Sequence, residues 1–155
     1  MLNSEAPDFS LESTIGQPIC KDDLKGAFVV LIFYPANDTP TCNKQLSDTD
    51  LELGSFMSVN ARVFGINTAG IEKQKEYCVR RRISFPILSD PGGKVAKLYG
   101  AKLFGLPLIM RTVVVIDPNG IIVYHKRGNN PPPSAEILEA IQNSLGKLNP
   151  GNAQA

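Results

Sequence analysis

The chain has 155 residues, of which 43% are hydrophobic, and its formal net charge is +1. This length suits one domain with a buried core, and the near balance of charges argues against the one-sided basic surface of a nucleic-acid binder. No run approaches the roughly 18 apolar residues of a membrane span, and the N-terminus MLNSEAPDFS has neither the basic nor the apolar region of a secretory signal. We therefore expect a cytoplasmic protein, or an organellar one after loss of a targeting peptide.

The first half of the chain predicts a hairpin, a central strand and a long helix. Residues 7–19 (PDFSLESTIGQPI) are typical of a hairpin. Residues 27–34 (AFVVLIFY) lack polar alternation, which indicates a strand covered on both faces. Residues 40–59 predict one helix, because apolar and small side chains recur at steps of four and three. This inward stripe is Cys42, Leu46, Thr49, Leu53 and Met57.

The second half alternates strands and helices and ends with a hairpin and a helix. We predict strands at 62–67 and 85–88, a helix at 71–83 and a helical turn at 94–98. The turn Asp-Pro-Asn-Gly predicts a hairpin of strands 112–116 and 121–124. The last helix is expected to run to residue 145, with Ser134 as its N-cap.

The predicted order of elements is β-α-β-α-β-α-β-β-α, which indicates an α/β fold with a mixed central sheet flanked by helices. A thioredoxin-like fold fits this order, and a flavodoxin-like sheet stays open as the alternative. We expect one domain over residues 1–147 and a flexible C-terminal tail over 148–155, because the sequence LNPGNAQA is small and polar.

The three cysteines, Cys20, Cys42 and Cys78, are odd in number and widely spaced. This pattern argues against a secreted disulfide scaffold and favours a reducing compartment in which thiols act chemically. Three isolated cysteines and one histidine, His125, also lack the spacing of metal ligands. No metal site is therefore expected.

Cys42 has two interpretations from its position. Thr39 is a plausible N-cap and Pro40 a favoured first helical residue, so Cys42 falls in the first turn. Free N–H groups and the helix dipole favour a thiolate there, and the thiolate is the nucleophile. The alternative is that Cys42 only begins a buried stripe. Position alone does not decide between them, and a Cys-x-x-Cys redox pair is absent, since Gln45 stands where it would end.

The residues PANDTPTC, from Pro35 to Cys42, match the Pro-x-x-x-Thr-x-x-Cys signature of peroxiredoxins. Further landmarks follow in order: APDF and LKG before the first core strand, FYP, SFPILSD, LYG and RTVVVID. The chain most resembles the Q type, also called the bacterioferritin comigratory protein type, of the AhpC/TSA family. The resemblance implies a thioredoxin-like fold and a peroxidase that uses no metal, haem or flavin.

The same resemblance implies roles for individual residues. Cys42 matches the peroxidatic cysteine that attacks hydrogen peroxide and organic hydroperoxides. Thr39 matches the hydroxyl that binds the thiolate and the peroxide, and Pro35 the residue that shields the pocket from water. Arg111 matches the arginine that stabilises the thiolate and polarises the O–O bond. Gln45 stands where the family often has Glu, so a role that needs a charge at this position is in doubt.

The cysteine that resolves oxidised Cys42 has to be inferred by the same resemblance. Many Q-type members carry it five residues on, where this chain has Ser47; a smaller set carries it on the next helix, where Cys78 fits. Arg81 and Arg82 lie one turn after Cys78, so their charges are expected to favour its thiolate. The alternatives are a structural Cys78 or an external thiol. Cys20, which lies outside the motif, is expected to be incidental or packed.

The resemblance also implies a thioredoxin-like dithiol as the reductant. We expect a monomer, with a weak dimer as the alternative, because no cysteine follows Cys78 to form the C-terminal resolving arm of obligate dimers. Two other functions stay open on the same fold. One is a thiol–disulfide oxidoreductase that does not reduce peroxides, and the other is a redox-sensing module that uses Cys42 as a switch.

Overall fold

The computed structural model describes residues 1–103, 105–106 and 108–148. These residues form a seven-stranded sheet with helices on both faces. The strands are β1 (Ser10–Ser13), β2 (Ile19–Cys20), β3 (Phe28–Phe33), β4 (Ala61–Asn67), β5 (Ile87–Ser89), β6 (Thr112–Ile116) and β7 (Ile122–Arg127). The α-helices are α1 (Pro40–Leu51), α2 (Leu53–Ser58), α3 (Ile71–Arg81), α4 (Lys94–Leu98) and α5 (Ser134–Leu148).

The sheet has the strand order β2-β1-β5-β4-β3-β6-β7. β3, β4 and β5 are parallel to one another, whereas β1 pairs with β5, and β6 with β3, in antiparallel fashion. Every residue of β3 is buried, as expected for a central strand without polar alternation. The mixed sheet and its flanking helices confirm the predicted α/β fold.

Two hydrophobic clusters cover the two faces of the sheet. Alternate residues of β3 supply each, as the two-residue period of a strand requires. One cluster joins β3 to α1, α2, α3 and α5 and contains Cys42 and Tyr77. The other packs α4 and the N-terminal segment against the opposite face. Cys42 and α3, which carries Cys78, therefore lie on the same side of the sheet.

The single helix predicted at 40–59 is wrong, because it is two helices that break at Glu52. The backbone of Glu52 has φ −99° and ψ 9°, and its N–H bonds back to Asp50 and Thr49. Gly54, a poor helix former, lies two residues further on. The break changes the phase of the stripe, so that Phe56 is buried while Met57, predicted to face inward, is 67% exposed.

Other boundaries differ from prediction by a few residues. α3 ends at Arg81, because Arg82 adopts a left-handed conformation (φ 55°) and caps the helix. Ser134 is the first residue of α5 and not its N-cap; the carbonyl of Pro133 accepts from the N–H of Glu136. α5 extends to Leu148, and the rest of the predicted tail, 149–155, lies outside the described residues. The domain boundary at 147 stays a prediction.

Candidate active site

The pairing of β3 with β6 brings together two residues that are far apart in sequence. Phe33 at the end of β3 pairs with Thr112 at the start of β6. The chain leaves β3 toward α1 and Cys42 at the same end of the sheet from which Arg111 enters β6. The antiparallel register therefore places the arginine beside the first turn of α1.

The first turn of α1 is capped as the sequence predicts. Thr39 is the N-cap in extended conformation, and its hydroxyl accepts the N–H of Cys42 at 3.2 Å. Pro40 opens the helix, where its missing N–H costs no hydrogen bond. Cys42 is thus the third helical residue, and its side chain is only 1% exposed. The positive end of the helix dipole acts on its sulfur.

Arg111 joins three groups at this site. Its Nη2 donates to Sγ of Cys42 at 3.5 Å, its Nη1 donates to Oε1 of Gln45, and its Nε donates to the carbonyl of Asn129 at 3.0 Å. The guanidinium is buried, with Arg111 only 7% exposed. A fixed cation with aligned donors stabilises negative charge on the sulfur or on an oxygen bound next to it.

The loop before α1 and the first turn of α1 are held to α3 by three side-chain pairs, which we call together the α1–α3 contacts. Asn37 Nδ2 donates to Gln74 Oε1 at 3.0 Å, and the Tyr77 hydroxyl donates to Asn43 Oδ1 at 2.5 Å. Asp38 accepts from Arg80.

These contacts are extended by a buried polar network. The Tyr34 hydroxyl and the amide of Asn67 both donate to Asn37, and Gln74 donates to Asn67. The loop that precedes Cys42 is therefore fixed to the carboxyl end of β4 as well as to α3.

Two phenols near Cys42 are held neutral. Burial raises the pKa of Tyr77 to about 12, and a negative charge at Cys42 would raise it further. Burial also raises the pKa of Tyr34 well above its ordinary value, and the neighbouring Tyr77, Cys78 and Cys42 act in the same direction. Both side chains are therefore hydrogen-bond donors at neutral pH.

Cys78 lies on α3 and is not among the hydrogen-bond partners found for Arg111 in the described residues. It is half-buried beside Thr14 and lines a surface pocket with Ile83 and Phe85. All three cysteines are free thiols. Cys42 contacts Arg111 whereas Cys78 faces Thr14, so the two thiols have different neighbours.

The expected activation of Cys78 by Arg81 and Arg82 is wrong. Burial raises the pKa of Cys78; a hydrogen bond with Thr14 lowers it, and the charge of Asp50 raises it. Arg81 is directed to Asp38, with Nε 3.7 Å from the carboxylate, and Arg82 is an exposed cap residue. A spacing of one helical turn does not ensure that a charge faces the thiol.

The remaining predicted residues lie around this centre. Pro35 is exposed in the loop between β3 and α1. Cys20 lies on β2, where its Sγ contacts the Ser10 hydroxyl at 3.2 Å, away from the site. Within the described part of the chain, no cluster of three or more His, Cys, Asp or Glu side chains could hold a metal ion. None of the helices described combines the length and apolar character needed to cross a bilayer.

Sequence reasoning missed the partners that complete the site. Gln45 lies one turn after Cys42, a spacing that puts both on one face of α1, but nothing in the sequence identifies Arg111 as its partner. The pairs of Asn43 with Tyr77 and of Asn37 with Gln74 join residues more than 30 positions apart. No local signal could have found them.

Comparison with known proteins identifies relatives over most of the chain. The family model described as AhpC/TSA family matches residues 2–125. Peroxiredoxin Q, chloroplastic, of Sedum lineare is 34% identical over 143 residues, which cover 90% of this chain and 76% of that protein. The crystal structure of peroxidoxin BcpB from Mycobacterium tuberculosis has a TM-score of 0.82 at 30% identity and covers 92% of this chain and 96% of its own.

A relative from rice, peroxiredoxin Q, chloroplastic, of Oryza sativa subsp. japonica, is 37% identical over 123 residues. These residues cover 78% of this chain, which spans just over half (56%) of the length of the rice protein. The fold, the ordered motif around Cys42 and these matches all indicate the same family. The chain belongs to the AhpC/TSA family and, within it, to the Q-type peroxiredoxins.

Proposed function

We propose that this chain is a thiol-dependent peroxidase in which Cys42 reduces hydrogen peroxide and organic hydroperoxides. The observation that carries the proposal is the contact of Arg111 Nη2 with the Cys42 sulfur at 3.5 Å, at the N-terminus of α1. A buried cysteine with an ordinary structural role has no need of a buried guanidinium. A nucleophilic thiolate does, because its charge has to be stabilised.

The chemistry begins with attack of the Cys42 thiolate on the terminal oxygen of the peroxide. The S–O bond forms as the O–O bond breaks, so that sulfur is oxidised to sulfenic acid and the peroxide is reduced to an alkoxide or hydroxide. The leaving oxygen takes a proton from water and departs as alcohol or water. Arg111 keeps its own proton throughout and stabilises the charge as it moves from sulfur to oxygen.

Thr39 and Pro35 have supporting roles in this proposal. The Thr39 hydroxyl accepts from the Cys42 N–H and keeps its own proton to donate to the peroxide. Pro35 precedes the capped turn and limits the access of water to it. Both roles follow from the family motif, and the cap geometry supports that of Thr39.

Cys78 is proposed to resolve the sulfenic acid. The Cys78 sulfur attacks the Cys42 sulfenic acid, an intramolecular disulfide forms, and one water molecule leaves. A disulfide needs the two α-carbons within about 7 Å, and we expect the first turn of α1 to unwind so that Cys42 can reach Cys78. A thioredoxin-like dithiol then reduces the disulfide. This reduction requires a compartment in which the dithiol is kept reduced. If Cys78 is structural, an external thiol takes its place.

Intact mass and peptide mapping after one equivalent of peroxide test the resolving step. We expect a loss of two hydrogens and a cross-linked pair of peptides that contain Cys42 and Cys78. Variant C20S should behave identically, because Cys20 lies outside the site. A persistent sulfenic acid, or dimers linked only between chains, would show that Cys78 does not resolve.

Peroxide turnover tests the central assignment. Purified protein should consume peroxide rapidly with a thioredoxin system, and Cys42→Ser should abolish turnover, whereas Cys20→Ser should retain it. Insulin reduction without peroxide turnover would instead support a thiol–disulfide oxidoreductase. Oxidation of Cys42 without turnover by any dithiol donor would support a redox sensor.

We propose that the protein acts as a monomer, because both cysteines of the cycle lie in one chain. Size-exclusion chromatography with light scattering, on reduced and oxidised protein, measures this. A dimer in both states at micromolar concentration would contradict the proposal.

A further inference from the structure

Arg111 is a buried cation whose fixed partners are neutral. Its guanidinium donates to the amide oxygen of Gln45, to the carbonyl of Asn129 and to the sulfur of Cys42. In the described part of the chain no carboxylate lies within 4.0 Å of it, since the ion pairs found there involve other residues (Lys21, Lys25, Lys44, Lys75, Arg80, Arg81 and Lys126). A buried cation is costly unless it is paired with an anion.

The other ionisable groups near Cys42 do not supply that anion at neutral pH. The phenols of Tyr34 and Tyr77 are neutral, and the thiol of Cys78 is directed to Thr14. Asp38 is engaged by Arg80 and Arg81.

On α1 itself the charged side chains have other partners. Lys44 and Asp48 pair with each other, and both side chains are exposed. Asp50, near the C-terminal end of the helix, accepts from the backbone N–H of Ser84. Among the described residues, the Cys42 thiolate is therefore the one hydrogen-bond partner of Arg111 that can carry a negative charge.

We propose that Gln45 is a positioning residue that orients Arg111 without neutralising it, so that the full guanidinium charge acts on the Cys42 thiolate and on the peroxide. This inference rests on the proposed peroxidase function and deepens it. Gln45 is buried, and its Oε1 accepts from Nη1 while Nη2 of the same guanidinium reaches the sulfur. One planar group thus links the orienting contact to the reacting atom.

A glutamate at position 45 would keep the geometry and change the electrostatics. Its carboxylate would pair with Arg111 and would place a like charge one helical turn from the thiolate. Both effects disfavour the thiolate. The fold should accept this change, because Gln45 and Glu have the same shape and the Q-type pattern often has Glu here. Gln45 also borders a groove of about 540 Å³ between α1 and residues 130–134, where water can solvate a second oxygen.

The experiment compares Q45E, Q45M and the control K44Q. Q45E and K44Q each lower the net charge by one, but Lys44 is exposed and lies outside the site. Q45M keeps the length of the side chain and removes the acceptor. Two quantities are measured for each: the pH profile of Cys42 alkylation by iodoacetamide, followed by peptide mass, and the rate constant of peroxide oxidation by stopped flow.

We expect Q45E to lower Cys42 alkylation about tenfold at pH values where the thiol is mostly protonated, with the profile displaced to higher pH. Q45M should leave the alkylation profile near that of the parent and slow peroxide oxidation about tenfold or more, because Arg111 loses its alignment. K44Q should change neither. Circular dichroism and thermal unfolding verify that each variant is folded.

Two results would overturn the inference: a Q45E profile that coincides with the parent, or a K44Q profile displaced as far as that of Q45E. A Q45M variant that reacts with peroxide at the parent rate would refute the orienting role. The alkylation profile needs no peroxide. It therefore reports on Gln45 even if the parent protein turns out to consume none, which is the result that would refute the proposed function instead.

Discussion

Arg111 is the residue that stabilises the charge in the proposed chemistry at Cys42. Its planar fork reaches Gln45, Asn129 and the Cys42 sulfur at once. A lysine has one flexible ammonium group and cannot make these three contacts together. Both side chains carry a positive charge, so replacing arginine by lysine changes the alignment of the hydrogen-bond donors and leaves the charge in place.

Arg111→Lys should lower the rate constant of Cys42 oxidation by peroxide about a hundredfold, the usual effect of losing one aligned donor. Stopped-flow kinetics measures this constant directly. Arg62→Lys is the matched control, because Arg62 is exposed and stacks on Phe64 at the opposite end of the sheet. Equal rates for the parent and for Arg111→Lys would show that alignment by the guanidinium does not matter.

If Cys78 resolves as proposed, its environment should make the resolving step dependent on pH. Burial raises the pKa of this thiol, so little of it is thiolate at neutral pH, and its ionised fraction grows as the pH rises toward that raised pKa. The rate of disulfide formation should therefore increase through the alkaline range and should show no plateau near pH 7. Single-turnover kinetics from pH 6 to 10 measures it. A rate that does not change with pH would mean that ionisation of Cys78 does not limit resolution.

The α1–α3 contacts connect the helices that carry the two cysteines. Asn43 follows Cys42 and Tyr77 precedes Cys78, and these two neighbours are hydrogen-bonded to each other. In the proposed cycle, this bond has to break when the first turn of α1 unwinds and Cys42 approaches Cys78. The contacts are therefore expected to stabilise the form that reacts with peroxide and to oppose the form that makes the disulfide.

Tyr77→Phe should speed formation of the Cys42–Cys78 disulfide severalfold, because one buried hydrogen bond contributes about 1 kcal/mol. It should also reduce overoxidation of Cys42, since the sulfenic acid has less time to meet a second peroxide. Mass spectrometry of sulfinic acid against peroxide concentration measures the second effect. Tyr124→Phe is the matched control, because it removes a tyrosine hydroxyl that binds Glu136 away from α3. An unchanged or slower disulfide step in Tyr77→Phe would contradict this account.

At the scale of the whole molecule, the tyrosines couple stability to alkaline pH. All four, Tyr34, Tyr77, Tyr99 and Tyr124, have pKa values raised mainly by burial. A raised pKa in the folded state means that the unfolded chain loses these protons first. The stabilising effect is complete below the ordinary tyrosine pKa of about 10 and is lost as the pH rises through the folded values.

The contribution of the tyrosines to the free energy of unfolding should therefore be constant up to about pH 9.5. It should fall steeply above about pH 10. Urea unfolding at a series of pH values measures this, with all cysteines replaced by serine to remove their titration. Tyrosinate absorbance at 295 nm should appear together with unfolding. Phenols that titrate near pH 10 in the folded protein would contradict the prediction.

Local sequence patterns determine many of the secondary-structure elements of this protein and the position of Cys42. The buried run of β3, the turn at 117–120 and the cap at Thr39 are short-range features, and a few neighbouring residues suffice to produce them. The position of Cys42 in the first turn of α1 follows directly from that cap. The motif that indicates the family is equally local, and the mixed sheet followed from the order of the elements.

Only the tertiary structure decided what surrounds the two thiols. The register of β3 with β6 brings Arg111 to Cys42, and the packing of α3 brings Tyr77 to Asn43. The tertiary structure also shows that two predictions are wrong: the single helix over residues 40–59 and the activation of Cys78 by Arg81 and Arg82. The reason is physical: helical spacing determines which residues share a face, whereas the charge that a side chain meets depends on the elements packed against that face.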